Sequence, residues 1–224
     1  MTRAPRPGAR RPRAATATLT GALGLALAAL LAGCTGSPPT SASGATAGPP
    51  QAADVHVDVD TPELRQLKQE AGIAPCPDVD AEPVEGGLPP VTLPCLGGGP
   101  DVPLGGVRGP VVVNLFAQWC GPCREELPYY QQLHERAGDA VTVLGVDYQD
   151  TQPGAALALA RETGVTYPLV ADPAGQLRAP LRVRGLPMLV LVRRDGTVAF
   201  RAAMVVDSYA QLQDLVEEHL DVRL

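Results

Sequence analysis

Val111-Val112-Val113-Asn114-Leu115-Phe116-Ala117-Gln118-Trp119-Cys120-Gly121-Pro122-Cys123 is the stretch on which the reading of this chain turns. Its first six residues make a nearly continuous apolar run, the pattern of a strand buried on both faces. Pro122 fits the first turn of a helix, where no amide hydrogen bond is lost. The spacing predicts a helix from Pro122 to about Ala137, with Leu127, Tyr130 and Leu133 apolar and Gly138 at its end. Cys120 then sits at a helix N-terminus, where unpaired amides and the helix dipole favour a thiolate. Cys123 lies one turn on, on the same face but deeper, placed to resolve a mixed disulfide by attacking Cys120. Trp119 is expected to shield one side of the pair. A zinc site is the competing reading of two such cysteines, but His134 and the distant Cys76 and Cys95 are poor candidates for the remaining ligands.

Downstream, Val141 to Asp147 reads as a second buried strand and Gly154 to Thr163 as a helix stopped by Gly164. Leu169-Val170 is a strand end, and Asp172-Pro173 is expected to open a short helix toward Ala179. Met188 to Arg193 and Thr197 to Ala203 form two strands joined through Asp195-Gly196, a strong hairpin signal. Ser208 with Gln211 has the capping-box pattern of a last helix, with Leu212, Leu215, Val216 and Leu220 inward. Alternating strands and helices that finish in a hairpin specify an α/β fold: a central mixed sheet, flanked by helices, with one antiparallel edge.

Upstream the composition changes. A basic stretch is followed by the apolar run Leu19 to Leu31 and the small residues Ala32-Gly33. The run is too short to span a membrane and reads as a signal peptide over residues 1–33. Leu31-Ala32-Gly33-Cys34 matches a bacterial lipobox, which predicts cleavage before Cys34 and lipidation of its sulfur; a chance cysteine after an ordinary cleavage site is the alternative. Diacylation plus an added acyl chain suffices for stable anchoring. Arg10-Arg11 selects no export route. From 35 to 53 there is no charge, aromatic residue or periodicity, so 34–53 is a lipidated tether reaching roughly 25 Å.

Five of eighteen basic residues precede residue 14, and no acid precedes Asp54. The remainder carries thirteen basic and twenty-four acidic residues, a balance of −11, which repels phosphate backbones and argues against a nucleic-acid partner. Within 54–99, an accessory segment, Asp54 to Asp60 alternates polar and apolar residues and is expected to be a half-buried strand with its valines inward and His56 facing solvent. Thr61 caps a short helix with Pro62 first, Leu64 and Leu67 on one face and Gly72 at its end. Beyond Pro75 the chain is loop-rich, with short strands near Val91–Leu93 and Val102–Leu104.

Export to an oxidising compartment accounts for five cysteines. Cys76 and Cys95 lie in Pro/Gly-rich sequence that apolar burial alone would not order, so a structural disulfide is the economical reading, worth roughly 3 kcal/mol in the chain-entropy model. A second redox pair that passes electrons to Cys120/Cys123, or two unpaired thiols, are the other readings.

Trp119-Cys120-Gly121-Pro122-Cys123 is the thioredoxin active-site motif, and its context from Val107 to Ala117 resembles the TlpA/ResA branch of extracytoplasmic thioredoxin-like proteins. The resemblance covers about residues 100 to 220 and implies a thioredoxin-like fold over 100–224. It further implies that Gly185-Leu186-Pro187 is the loop with a cis proline, whose Leu186 backbone aligns a substrate strand beside Trp119, Gly121 and Pro122 while Pro187 keeps a thiol or metal from that spot. Glu126 matches the acid that this branch places beside the cysteines. A half-buried carboxylate there accepts the proton of Cys123; the alternative is a solvated glutamate like Glu125. Asn114 stands where thioredoxin has a buried aspartate, and its amide cannot exchange protons. Met188 replaces a threonine, and Val205-Val206 a glycine.

The resemblance implies a disulfide reductase for exported proteins, apocytochrome c among them, fed by a membrane thiol carrier of the CcdA or DsbD type and needing no cofactor. Gly121-Pro122 is the dipeptide of reducing thioredoxin. Two alternatives remain: an oxidase or isomerase that installs disulfides, and a chaperone that holds copper or haem on the cysteine pair.

Overall fold

The computed structural model describes residues 56–224. The signal peptide, Cys34, the tether and Asp54-Val55 lie outside the described residues.

Five strands make one sheet: β3 (Val111–Phe116), β4 (Thr142–Tyr148), β5 (Leu169–Asp172), β6 (Met188–Val192) and β7 (Val198–Ala203), in the order β5-β4-β3-β6-β7. β3 and β4 are parallel, as are β4 and β5, whereas β6 runs antiparallel to both β3 and β7. All six residues of β3 are buried, as its apolar run demands of a strand covered on both faces. The period of two splits them: Val112 and Phe116 point into one core, Val111, Val113 and Leu115 into the other.

The first core is filled by α2 (Gly121–Ala137), α3 (Pro153–Thr163) and α4 (Tyr209–Leu220). The second is covered by the accessory segment and the residues just after it, which bring Leu88, Leu93, Val102 and Leu104 onto the sheet, and by the turns at Leu177 to Val183. The accessory segment contains α1 (Pro62–Glu70) and β1 (Thr92–Leu93), which pairs in a two-stranded ribbon with β2 (Val102–Pro103) just beyond it. It belongs to the same compact unit as the rest of the described chain.

Thr61 Oγ1 accepts from the Leu64 amide at 3.3 Å, Ser208 Oγ from the Gln211 amide at 3.2 Å, and Gly164 turns the chain out of α3 at φ 74°. Two expected elements are absent. The described part of 54–60 is no strand: Val59 is buried, but its one backbone tie here is the Gly97 amide at 2.8 Å. Alternation orients side chains, but a strand also needs a partner. The short helix toward Ala179 is replaced by turns, because the Asp172 carboxylate accepts from the Gln176 and Leu177 amides (2.8 and 3.0 Å) and Gly175 adopts φ 69°.

Candidate active site

β3 ends at Phe116 and α2 begins at Gly121, so Cys120 is its N-cap. Cys120 Sγ accepts from the Cys123 amide at 3.3 Å, which aims a helix-terminal donor at the sulfur. Cys120 and Cys123 are disulfide-bonded, with Cα atoms 5.3 Å apart. Cys120 is 5% exposed and Cys123 fully buried.

Trp119 is 56% exposed, and its indole N–H donates to the Gln149 carbonyl at 3.3 Å. That hydrogen bond ties the exposed ring to the turn after β4. Nothing lies within 4 Å of where a Gly121 side chain would project, so that flank is open. The Leu186–Pro187 peptide is cis and directly precedes β6. A second cis peptide, Gly109–Pro110, precedes β3 and has no counterpart in the sequence-based expectations.

Glu126 lies one turn beyond Cys123 on the buried face of α2 and is fully buried rather than half-buried. Its Oε2 accepts from the Val206 amide at 2.9 Å, while Oε1 has no partner. Loss of water pushes its carboxyl up to about 8, against the Val206 hydrogen bond, with the nearby Asp207 charge adding a little. A carboxyl raised in this way is a stronger proton acceptor, once ionised, than an ordinary glutamate. Asn114, Tyr130 and Tyr167 are buried in the same core, and their polar ends also lack partners. Burial pushes both tyrosines upward.

Two contributors escaped the sequence reading. The Asp150 carboxylate accepts from the Gln118 amide at 2.9 Å and from the Gln152 amide, pinning the turn before Cys120. Beside it Asp147 is almost wholly buried, its carboxyl raised by burial and by the Asp150 charge. The Val206 amide that holds Glu126 is the other. A backbone donor carries no sequence signal; for Asp150 the signal lay in topology, since parallel neighbours bring their C-terminal ends together.

The described histidines do not approach the pair as ligands: His134 meets Tyr167 edge-on at 6.0 Å and His219 stacks on Phe200 at 4.7 Å. Among the described residues, no group of three or more His, Cys, Asp or Glu is placed to hold a metal. Cys76 and Cys95 are bonded to each other, with Cα atoms 6.0 Å apart, and face the second core.

A family profile described as AhpC/TSA matches residues 84–212, more than half of the chain. The chain belongs to the AhpC/TSA family. The match contains every element of the five-stranded sheet and the cysteine pair. Among curated relatives, the thiol:disulfide interchange protein CycY of Rhizobium leguminosarum bv. viciae is 34% identical over 91 residues, 40% of this chain and 47% of that protein. The thiol:disulfide interchange protein DsbE of Escherichia coli K12 is 34% identical over 95 residues, 42% of this chain and 49% of the relative. The chain thus spans about half the length of these relatives. A secreted thiol-disulfide isomerase from Corynebacterium glutamicum superposes with a TM-score of 0.53 at 25% identity, over 60% of this chain and 86% of that one. A secreted disulfide oxidoreductase of Mycobacterium tuberculosis, at 22% identity and TM-score 0.51, covers 58% of this chain and 96% of that one and shares the thioredoxin-like fold.

Proposed function

We propose that this AhpC/TSA member is a thiol–disulfide oxidoreductase of the TlpA/ResA type that reduces disulfides in exported proteins. It is anchored to the outer face of the cytoplasmic membrane by lipid on Cys34. The observation that carries the reading is the cysteine pair at the N-terminus of α2, with Cys120 Sγ on the Cys123 amide and the buried Glu126 carboxyl one turn below.

In this reading the Cys120 thiolate attacks a substrate disulfide and one substrate sulfur leaves. Cys123 passes its proton to Glu126 and attacks Cys120 Sγ. The second substrate sulfur leaves and is protonated, and the Cys120–Cys123 disulfide remains. Leu186 offers its backbone to the substrate chain, Pro187 keeps other nucleophiles from the sulfurs, and Trp119 with the open flank at Gly121 and Pro122 forms the contact rim. Electrons return from a membrane thiol carrier of the CcdA/DsbD type, and the disulfide of apocytochrome c, reduced to its thiols, is a fitting substrate class. In the oxidised protein the Cys76–Cys95 disulfide closes a loop within the accessory segment.

The test is the reduction potential of Cys120/Cys123 in defined thiol–disulfide buffers. A value at or below about −220 mV supports a reductase, and a value above about −150 mV refutes the direction of electron flow.

A further inference from the structure

Lys68 is the only lysine of the chain, and its residue is 7% exposed. Its Nζ donates to Cys95 Sγ at 3.0 Å and to the Gly98 carbonyl at 2.7 Å. No ion pair involves it among the described residues, and the neighbouring Asp60 carboxylate is engaged by Arg65 at 2.6 Å. A disulfide sulfur is a weak acceptor, so this buried ammonium has no anion in hydrogen-bond contact. Burial lowers its pKa, and the Asp60 charge offsets that only in part.

The other sulfur has the opposite surroundings. Cys76 Sγ stands 3.3 Å from the Leu169 carbonyl oxygen, which already accepts from the Leu96 amide at 2.9 Å. In the disulfide that approach has no proton to share. After reduction, a Cys76 thiol has a waiting acceptor and a Cys95 thiolate has a waiting ammonium. A depression of about 310 Å³, lined by Lys68, Ile73, Pro75 and Gly97 to Gly99, lies beside the pair. Gly99 keeps its inner wall clear: a Cβ there would stand 3.2 Å from Cys95 Sγ.

We propose that Cys76–Cys95 is a second redox site, reducible by a dithiol, in which Lys68 holds Cys95 as the thiolate and the Leu169 carbonyl holds Cys76 as the thiol. One thiolate of the dithiol attacks Cys76 Sγ, the Cys76–Cys95 bond breaks, and Cys95 leaves with the electron pair beside Lys68. The dithiol's second sulfur attacks its own sulfur in the mixed disulfide. Cys76 is released and takes that second thiol's proton, and the reductant departs as its disulfide. The first thiol's proton goes to solvent. Lys68 is a positioning residue for the leaving sulfur.

The experiment uses the full chain carrying Cys120→Ser and Cys123→Ser, so its outcome is independent of the motif cysteines. It is equilibrated with reduced and oxidised dithiothreitol, and the reduced fraction is read by alkylation of the peptides holding Cys76 and Cys95. Lys68→Met is expected to shift the equilibrium constant at least tenfold toward the disulfide, about 30 mV, whereas Lys68→Arg stays near the parent. A lysine that only tethers the Gly98 loop gives the opposite sign, because loosening the segment makes its disulfide easier to reduce. An unmoved midpoint, or one moved that way, overturns the proposal. Should Lys68→Met fail to fold, Cys76→Ser in the same background decides. With Lys68 intact and Asp60 and Arg65 the other charged groups nearby, Cys95 alkylation by iodoacetamide is expected to reach half its maximal rate below about pH 7.5. Half-maximal reaction at or above the ordinary value of about 8.5 overturns it.

Discussion

Replacing Glu126 by glutamine tests the active-site electrostatics directly. The folded carboxyl titrates at about 8 against an ordinary 4.5. Between these values the unfolded chain ionises while the folded chain keeps its proton, so wild-type stability falls as pH rises, by about 1.4 kcal/mol per unit, and levels off above pH 8. From pH 5 to pH 7 the loss amounts to about 2.5 kcal/mol. Glutamine does not titrate. Its oxygen can still accept from the Val206 amide, and its NH₂ group occupies the site of the unpartnered Oε1, a pH-independent cost of about 1–3 kcal/mol. The expected signature is therefore a slope: the stability of Glu126→Gln relative to wild type rises by about 2.5 kcal/mol between pH 5 and 7. Urea unfolding of the oxidised proteins at several pH values measures it. In single-turnover reduction of a model disulfide the variant is expected to resolve the mixed disulfide about 10²-fold more slowly and to lose the rate increase near pH 8. Parallel stability curves and an unchanged pH–rate profile would falsify both the burial argument and the proton-transfer role.

Trp119→Ala is expected to change folding stability by less than about 0.5 kcal/mol, because the ring is mostly in solvent, while weakening saturation by a protein substrate; an equal fall in small-disulfide turnover would refute a rim role. Gly145 sits in β4, where a Cβ would overlap Leu169 and stand 3.1 Å from Tyr167, so Gly145→Ala should cost about 1–3 kcal/mol by calorimetry, and a neutral result would show that the core yields there. Cys76→Ala with Cys95→Ala should cost about 3 kcal/mol in denaturant, with the Cys120/Cys123 potential unchanged; a moved potential would mean that the two sites communicate. Asp150→Ala leaves the Gln118 amide without its acceptor and should cost about 1–3 kcal/mol and speed alkylation of reduced Cys120, and unaltered alkylation would remove Asp150 from the site.

Much of the fold was legible because local signals agreed. The run Val111 to Phe116 had to be a doubly covered strand, Pro122 a helix start, Gly164 a stop and Asp195-Gly196 a hairpin, since each rests on backbone chemistry acting over a few residues. Signals failed where a strand lacked a distant partner and where a side chain competed locally with the helix pattern. Val57 and Val59 have strand alternation, yet no neighbouring strand pairs with them. Asp172-Pro173 has a helix-start pattern, yet the carboxylate closes a turn around Gly175.

The same division runs through the site. The sequence by itself determined the cysteine pair, its place at a strand-to-helix junction and the acid one turn below, because these sit within seven residues of one another on one helix. Only the tertiary structure decided that Glu126 is wholly buried on the Val206 amide, 80 residues away, that Asp150 holds the turn before Cys120, and that Lys68 lies against Cys95. Burial, and with it the titration of a carboxyl or an ammonium, depends on what the rest of the chain packs around a group, and that is set by contacts far apart in sequence.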